Sequence, residues 1–124
     1  MIKYLLIFDF ALVGIPLLMY LFPPKELNAI YGYRTKRASR DQASWDFAQR
    51  YALKRLLIVA LIALFSQFIL LIAGFSYKDE PPLIFLIPLG LFILGSFIMI
   101  YKTEMALIKF QKKPDQENEN NNIK

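Results

Sequence analysis

Three stretches of this chain are almost free of charge: Tyr4 to Phe22 holds only Asp9, while Leu56 to Phe75 and Leu83 to Tyr101 hold none. Each is close to the ~20 residues an α-helix needs to cross ~30 Å of hydrocarbon. Lipid offers a peptide group no partner, so a crossing segment must satisfy its own hydrogen bonds; runs this long, without alternation, leave the helix as the spanning form. The sequence therefore predicts an all-α integral membrane protein with three transmembrane helices, at about 3–22, 56–75 and 83–101. A hydrophobic content of 56% and a mean hydropathy of +0.39 exceed what a soluble domain of this size shows. The first run is longer than a signal-peptide core, and Phe22-Pro23-Pro24 lacks small residues for cleavage, so it reads as retained.

Charge predicts orientation, because cationic loops beside membrane segments resist translocation. The segment between the first two runs holds Lys25, Arg34, Lys36, Arg37, Arg40, Arg50, Lys54 and Arg55, and Lys102, Lys109, Lys112, Lys113 and Lys124 follow the third. Only Lys3 and Lys78 fall on the other side. The expected topology is an outside N-terminus and a cytoplasmic C-terminus, in a bacterial cytoplasmic (inner) membrane. An isoelectric point near 9.5 then reports topology and attraction to anionic inner-leaflet lipid, worth roughly 1 kcal/mol per cation, and not nucleic-acid binding. Residues 1–113 read as one membrane domain. The asparagine-rich, nearly apolar-free segment 114–124 reads as a disordered cytoplasmic tail.

The first loop, 23–55, has order of its own. Pro23-Pro24 ends helix one, since proline lacks a backbone donor and restrains its predecessor. Ser39 and Gln42 fit a capping box, which starts a helix near Arg40. Trp45, Ala48 and Ala52 share one face of it, and Asp46 and Arg50 are spaced to pair. The expected form is a short helix lying along the inner interface, anchored by Trp45 and Tyr51, with a bend before the second span. The alternative, one unbroken helix from Arg40 to Phe75, would be about 54 Å long and project well beyond the bilayer.

Asn28, the run Gly32-Tyr33-Arg34-Thr35, Ser39, Trp45 and Ala48, placed between Pro23-Pro24 and a membrane span, resemble the motif of the SdpI family of small bacterial membrane proteins. The likeness covers roughly Leu21 to Arg55 by motif and the flanking helices by hydropathy. It implies a membrane immunity or envelope-stress protein acting by contact with a membrane-active toxin peptide, with a signalling role through a cytoplasmic regulator. From the residues themselves, glycine admits close backbone approach, arginine presents a planar fork of donors and threonine adds a hydroxyl, a set suited to phosphate or carboxylate. The competing reading is that Arg34 locks the loop, through helix-end carbonyls or through Asp41, Asp46 or Glu104.

Asp9 is the other singular residue, since a central carboxylate costs roughly 2.5–3.5 kcal/mol to insert. By helical rise Asp9 and Gln67 lie at similar depths, about 10 and 12 Å from the outer surface, so a hydrogen bond between them is expected. With neither histidine nor cysteine, the chain lacks imidazole acid–base chemistry, thiol nucleophiles and the usual zinc ligands. No phosphate-loop, dinucleotide or serine-nucleophile signature is present. No enzyme activity, cofactor or metal is expected, and the exposed apolar faces leave room for a homo-oligomer. The second functional reading is a small transporter subunit moving an anion or protons between Arg34 and Asp9.

Overall fold

A computed structural model describes the backbone of residues 2–28, 30–76 and 78–123. It is all-helical among those residues: α1 (Ile2–Leu21), α2 (Gln42–Ile72) and α3 (Leu83–Ile123). All three are long and apolar enough to cross a membrane, and only 11%, 17% and 17% of their most apolar stretches are buried inside the protein. Faces so greasy and so open need a lipid solvent.

The helix ends follow local chemistry. Phe22 N–H still reaches Leu18 O at 2.8 Å before Pro23-Pro24 halts α1. The start of α2 corrects the expected capping box. Asp41, not Ser39, is the N-cap, in extended conformation with its carboxylate accepting from Ser44 N–H at 2.7 Å. A carboxylate is favoured there by the free amides of the first turn, and Ser39 instead closes a loop turn, donating its N–H to Thr35 O at 3.0 Å. At the far end Gly74, with φ +94°, lets Phe75 N–H reach back to Leu70 O and its own N–H to Leu71 O, a Schellman termination that only glycine adopts without strain.

Two further expectations give way. No separate interfacial helix or bend exists among the described residues: α2 is one unbroken helix of 31 residues, about 46 Å long. Its interior contains neither glycine nor proline. The projecting half has a partner, because α3, 41 residues long in all, also runs on past Tyr101 to Ile123 and into the stretch expected to be disordered. The segment just after Tyr101, from Lys102 to Lys113, is rich in helix-favouring Lys, Glu, Ala, Leu, Met and Gln, and extending an existing helix costs far less than nucleating one.

The α2–α3 pair is the spine. Ala60 and Ala63 are fully buried, and a Cβ on Gly95 would come within 2.6 Å of Val59 Cγ1, so small residues set the close approach of the two helices. Beyond the apolar runs, Phe47 of α2 stacks on Phe110 of α3 at 4.6 Å. Tyr33, Ala38, Ala48, Ala52, Met99 and Leu107 make a core there. Helix α1 packs on α2 and touches α3 through an edge-on pair, Phe8 and Phe85, at 5.3 Å.

Candidate functional site

The loop between α1 and α2 is tied to the helices by polar side chains that reach its backbone. Asn28 Oδ1 accepts from Ile30 N–H (2.9 Å) and Tyr31 N–H (3.0 Å), the local turn this residue type favours. Gly32 follows with φ +106°, where a Cβ would stand 2.7 Å from Pro24 Cγ and 2.8 Å from Gln49 Oε1. Both the conformation and the space require glycine.

Gln49 then holds Tyr33 by both backbone groups. Tyr33 N–H donates to Gln49 Oε1 at 2.8 Å, and Gln49 Nε2 donates to Tyr33 O at 2.7 Å. The amide imitates a strand partner, and it does so at a buried position, 2% exposed, where an unmade bond costs most. One turn away Trp45, fully buried, donates Nε1–H to Pro24 O at 2.9 Å. Trp45 is therefore a core strut and not an interface anchor, since both its ring and its single donor are consumed inside the protein. Gln42 Nε2 bonds Lys25 O (2.7 Å) and Asp46 Oδ1 (2.8 Å), and Gln111 Nε2 bonds Arg37 O (2.9 Å) and Ser44 Oγ (3.0 Å). The expected Asp46–Arg50 pairing is replaced, with Arg50 Nε–H directed to Asp46 O at 3.3 Å.

Glu104 gathers the rest of the motif. Its carboxylate accepts from Tyr33 OH at 2.8 Å and from Arg37 Nη1 at 3.1 Å. Burial alone would raise the Glu104 carboxyl, but the Thr35 and Tyr33 hydroxyls and the Arg37 guanidinium outweigh it and hold the group below its ordinary value,. Tyr33 moves upward, through burial first and then through its bond to Glu104. Arg34 stands exposed beside this network. The structure thus brings Asn28, Gly32, Tyr33 and Thr35 of the docked loop together with Trp45 of α2, with Ser39 at the loop's exposed end.

The expected Asp9–Gln67 pair lies together in the helix bundle, with Gln67 beside the Asp9 carboxyl. Gln67 nevertheless divides its amide, donating Nε2–H to Ile84 O at 3.4 Å, and Asp9 Oδ1 is buried with no hydrogen-bond partner. Sequence reasoning did not single out Gln49 or Gln111. The signal for Gln49 is a polar residue on the apolar face formed by Trp45, Ala48 and Ala52. Glu104 is signalled as the first acid after the third apolar run.

The model of the SdpI/YfhL protein family matches residues 25–102. The chain belongs to that family. The SdpI/YfhL match takes in the docked loop from Lys25 onward, α2 and the apolar part of α3, and leaves α1, Pro23-Pro24 and Glu104 outside it. A relative, the uncharacterized protein YfhL of Bacillus subtilis (strain 168), is 44% identical over 46 residues, which are 37% of this chain and 42% of YfhL. The chain thus matches less than half the length of that relative. No solved structure matches this member of the SdpI/YfhL family.

Proposed function

We propose that this chain is a non-catalytic protein of the bacterial cytoplasmic membrane that protects the cell by direct contact with a membrane-active peptide, with the loop between α1 and α2 facing the cytoplasm. The observation that carries the reading is the docked loop itself: the family motif is held rigid at five backbone points while Arg34 is presented at the surface. A pre-organised loop binds with less ordering cost than a free one, and a planar guanidinium beside it suits a carboxylate. The test is expression in cells sensitive to antimicrobial peptides from neighbouring species. Rescue by the parent and loss of rescue in Arg34→Ala is the expected result; equal rescue by both excludes Arg34 as the contact, and no rescue with any peptide removes the protective function.

A second reading is favoured by Asp9, whose buried, partnerless Oδ1 is what a proton-carrying carboxyl in a membrane helix resembles. Under it the chain is a small transporter subunit, and pH-dependent flux in liposomes stops in Asp9→Asn.

A further inference from the structure

We infer that one anionic phospholipid seats along the α1–α2 seam, its phosphate among Lys25, Arg50 and Lys54 and one acyl chain in the apolar cleft above them. Two hollows at the basic end of the bundle share Pro23, Gln49 and Arg50 as walls. One, of about 260 Å³, is also lined by Lys25, and the other, of about 240 Å³, by Tyr20, Leu53 and Lys54. All three cations are exposed, and Lys54 follows Arg50 by one turn on the same face of α2. Asp46 borders the first hollow, with one oxygen already engaged by Gln42.

Directly above lies a cleft of about 330 Å³ whose walls are wholly apolar, with Leu56 from α2 and Leu89 and Phe92 from α3 facing α1. The two spaces are continuous in register. Phe8, Leu12 and Pro16 line the cleft and Tyr20 lines the hollow; these four residues recur every fourth position, one row along α1. On α2, Leu53 of the hollow and Leu56 of the cleft are likewise one turn apart. Phe8, edge-on against Phe85, stands at the end nearest Asp9, so the cleft extends about 12 Å along α1 from Phe8 to Pro16. Cations at headgroup depth joined to a dry slot between helices match a molecule with a phosphate and an apolar tail. A free anion would use only the first part, and an apolar peptide only the second.

Native mass spectrometry of the purified full chain in detergent tests this, with phosphatidylglycerol, phosphatidylcholine of the same acyl chains, inorganic phosphate and a neutral leucine–alanine helical peptide as probes. The expected result is one retained phosphatidylglycerol per chain, with phosphatidylcholine held at least tenfold more weakly. Affinity should fall about fivefold for each of Arg50→Gln and Lys54→Gln, the size of one surface cation's attraction to anionic lipid. Ala11→Phe, which fills the cleft from an exposed position, should weaken phosphatidylglycerol as well. Equal retention of the two lipids, or undiminished binding in these variants, overturns the proposal. Displacement by inorganic phosphate alone would assign the hollow to a soluble anion, and displacement by the peptide that ignores the charge variants would assign the cleft to a polypeptide; either also overturns it. Emission of the buried Trp45 checks each fold, and Lys54→Gln alone carries the test should the others fail that check.

Discussion

The two ends of this three-helix protein are built on different principles. At the basic end a loop of some twenty residues is locked by side-chain amides, an indole and a carboxylate, each bonded to a named backbone or hydroxyl group. At the opposite end α2 and α3 are joined by a short connection, and Asp9, the one carboxylate of the three apolar runs, keeps a buried oxygen without a partner. Between the two, contacts are apolar and small-residue. Geometric specificity is concentrated where backbone leaves the helix and its polar groups must be matched one by one.

That contrast is broken most severely at Trp45. Trp45→Ala removes a fully buried ring and strands Pro24 O, and should cost about 3–5 kcal/mol, read as a lower midpoint of thermal unfolding in detergent. Trp45→Phe should retain much of the packing and lose mainly the indole bond. A full-length drop in both would mean the indole donor, and not the volume, is the strut. Next comes Gln49→Leu, which keeps the bulk but leaves both Tyr33 backbone groups unmatched, at roughly 1–3 kcal/mol each. Here the sharper readout is local. Protease cleavage within 25–40 should accelerate well before the helices unfold, since the loop loses its clamp while the spine does not.

The spans were legible because hydrophobic runs of this length admit few structures. So was the loop's importance, since Gly32 is needed for a backbone angle and a close approach that leave a mark on residue choice. The continuity of α2 was not legible, and the reason lies in α3. A projecting helix with Trp45, Ala48 and Ala52 on one face reads equally as one lying at an interface; what decides is the extension of α3 past Tyr101, which supplies Leu107 and Phe110 as the facing surface. The cap at Asp41 was hidden by the competing four-residue pattern Ser39 to Gln42. The role of Glu104, 71 positions from Tyr33, needed the α2–α3 register that no local pattern encodes.

Glu104 makes the polar end sensitive to acid. Its carboxyl is held below the ordinary 4.5 when folded, so the unfolded chain binds the extra proton first and stability falls as pH drops through that region. Stability should be full above about pH 5 by this contribution. Glu104→Gln should lose on the order of 1–2 kcal/mol near neutrality, the upper part discounted because Arg37 is half-exposed,, and should flatten the acid slope. Tyr33 acts in the opposite range. Its raised value protects the fold below pH 10 and withdraws that contribution as pH climbs beyond it, an alkaline slope that Tyr33→Phe removes.

The smallest expected effect lies at the opposite end. Asn in place of Asp9 keeps the shape and one acceptor, adds donors that the orphaned side of the pocket can use, and removes any cost of ionisation in hydrocarbon. Hydrogen bonds between membrane helices average only about 0.6 kcal/mol, so Asp9→Asn should leave unfolding and assembly within roughly that margin of the parent. A loss approaching that of Gln49→Leu would show that the carboxylate itself organises the α1–α2 contact. The two ends would then share one principle, polar groups placed to be matched, and the buried oxygen of Asp9 would mark a partner that binds there instead of a tolerated imperfection.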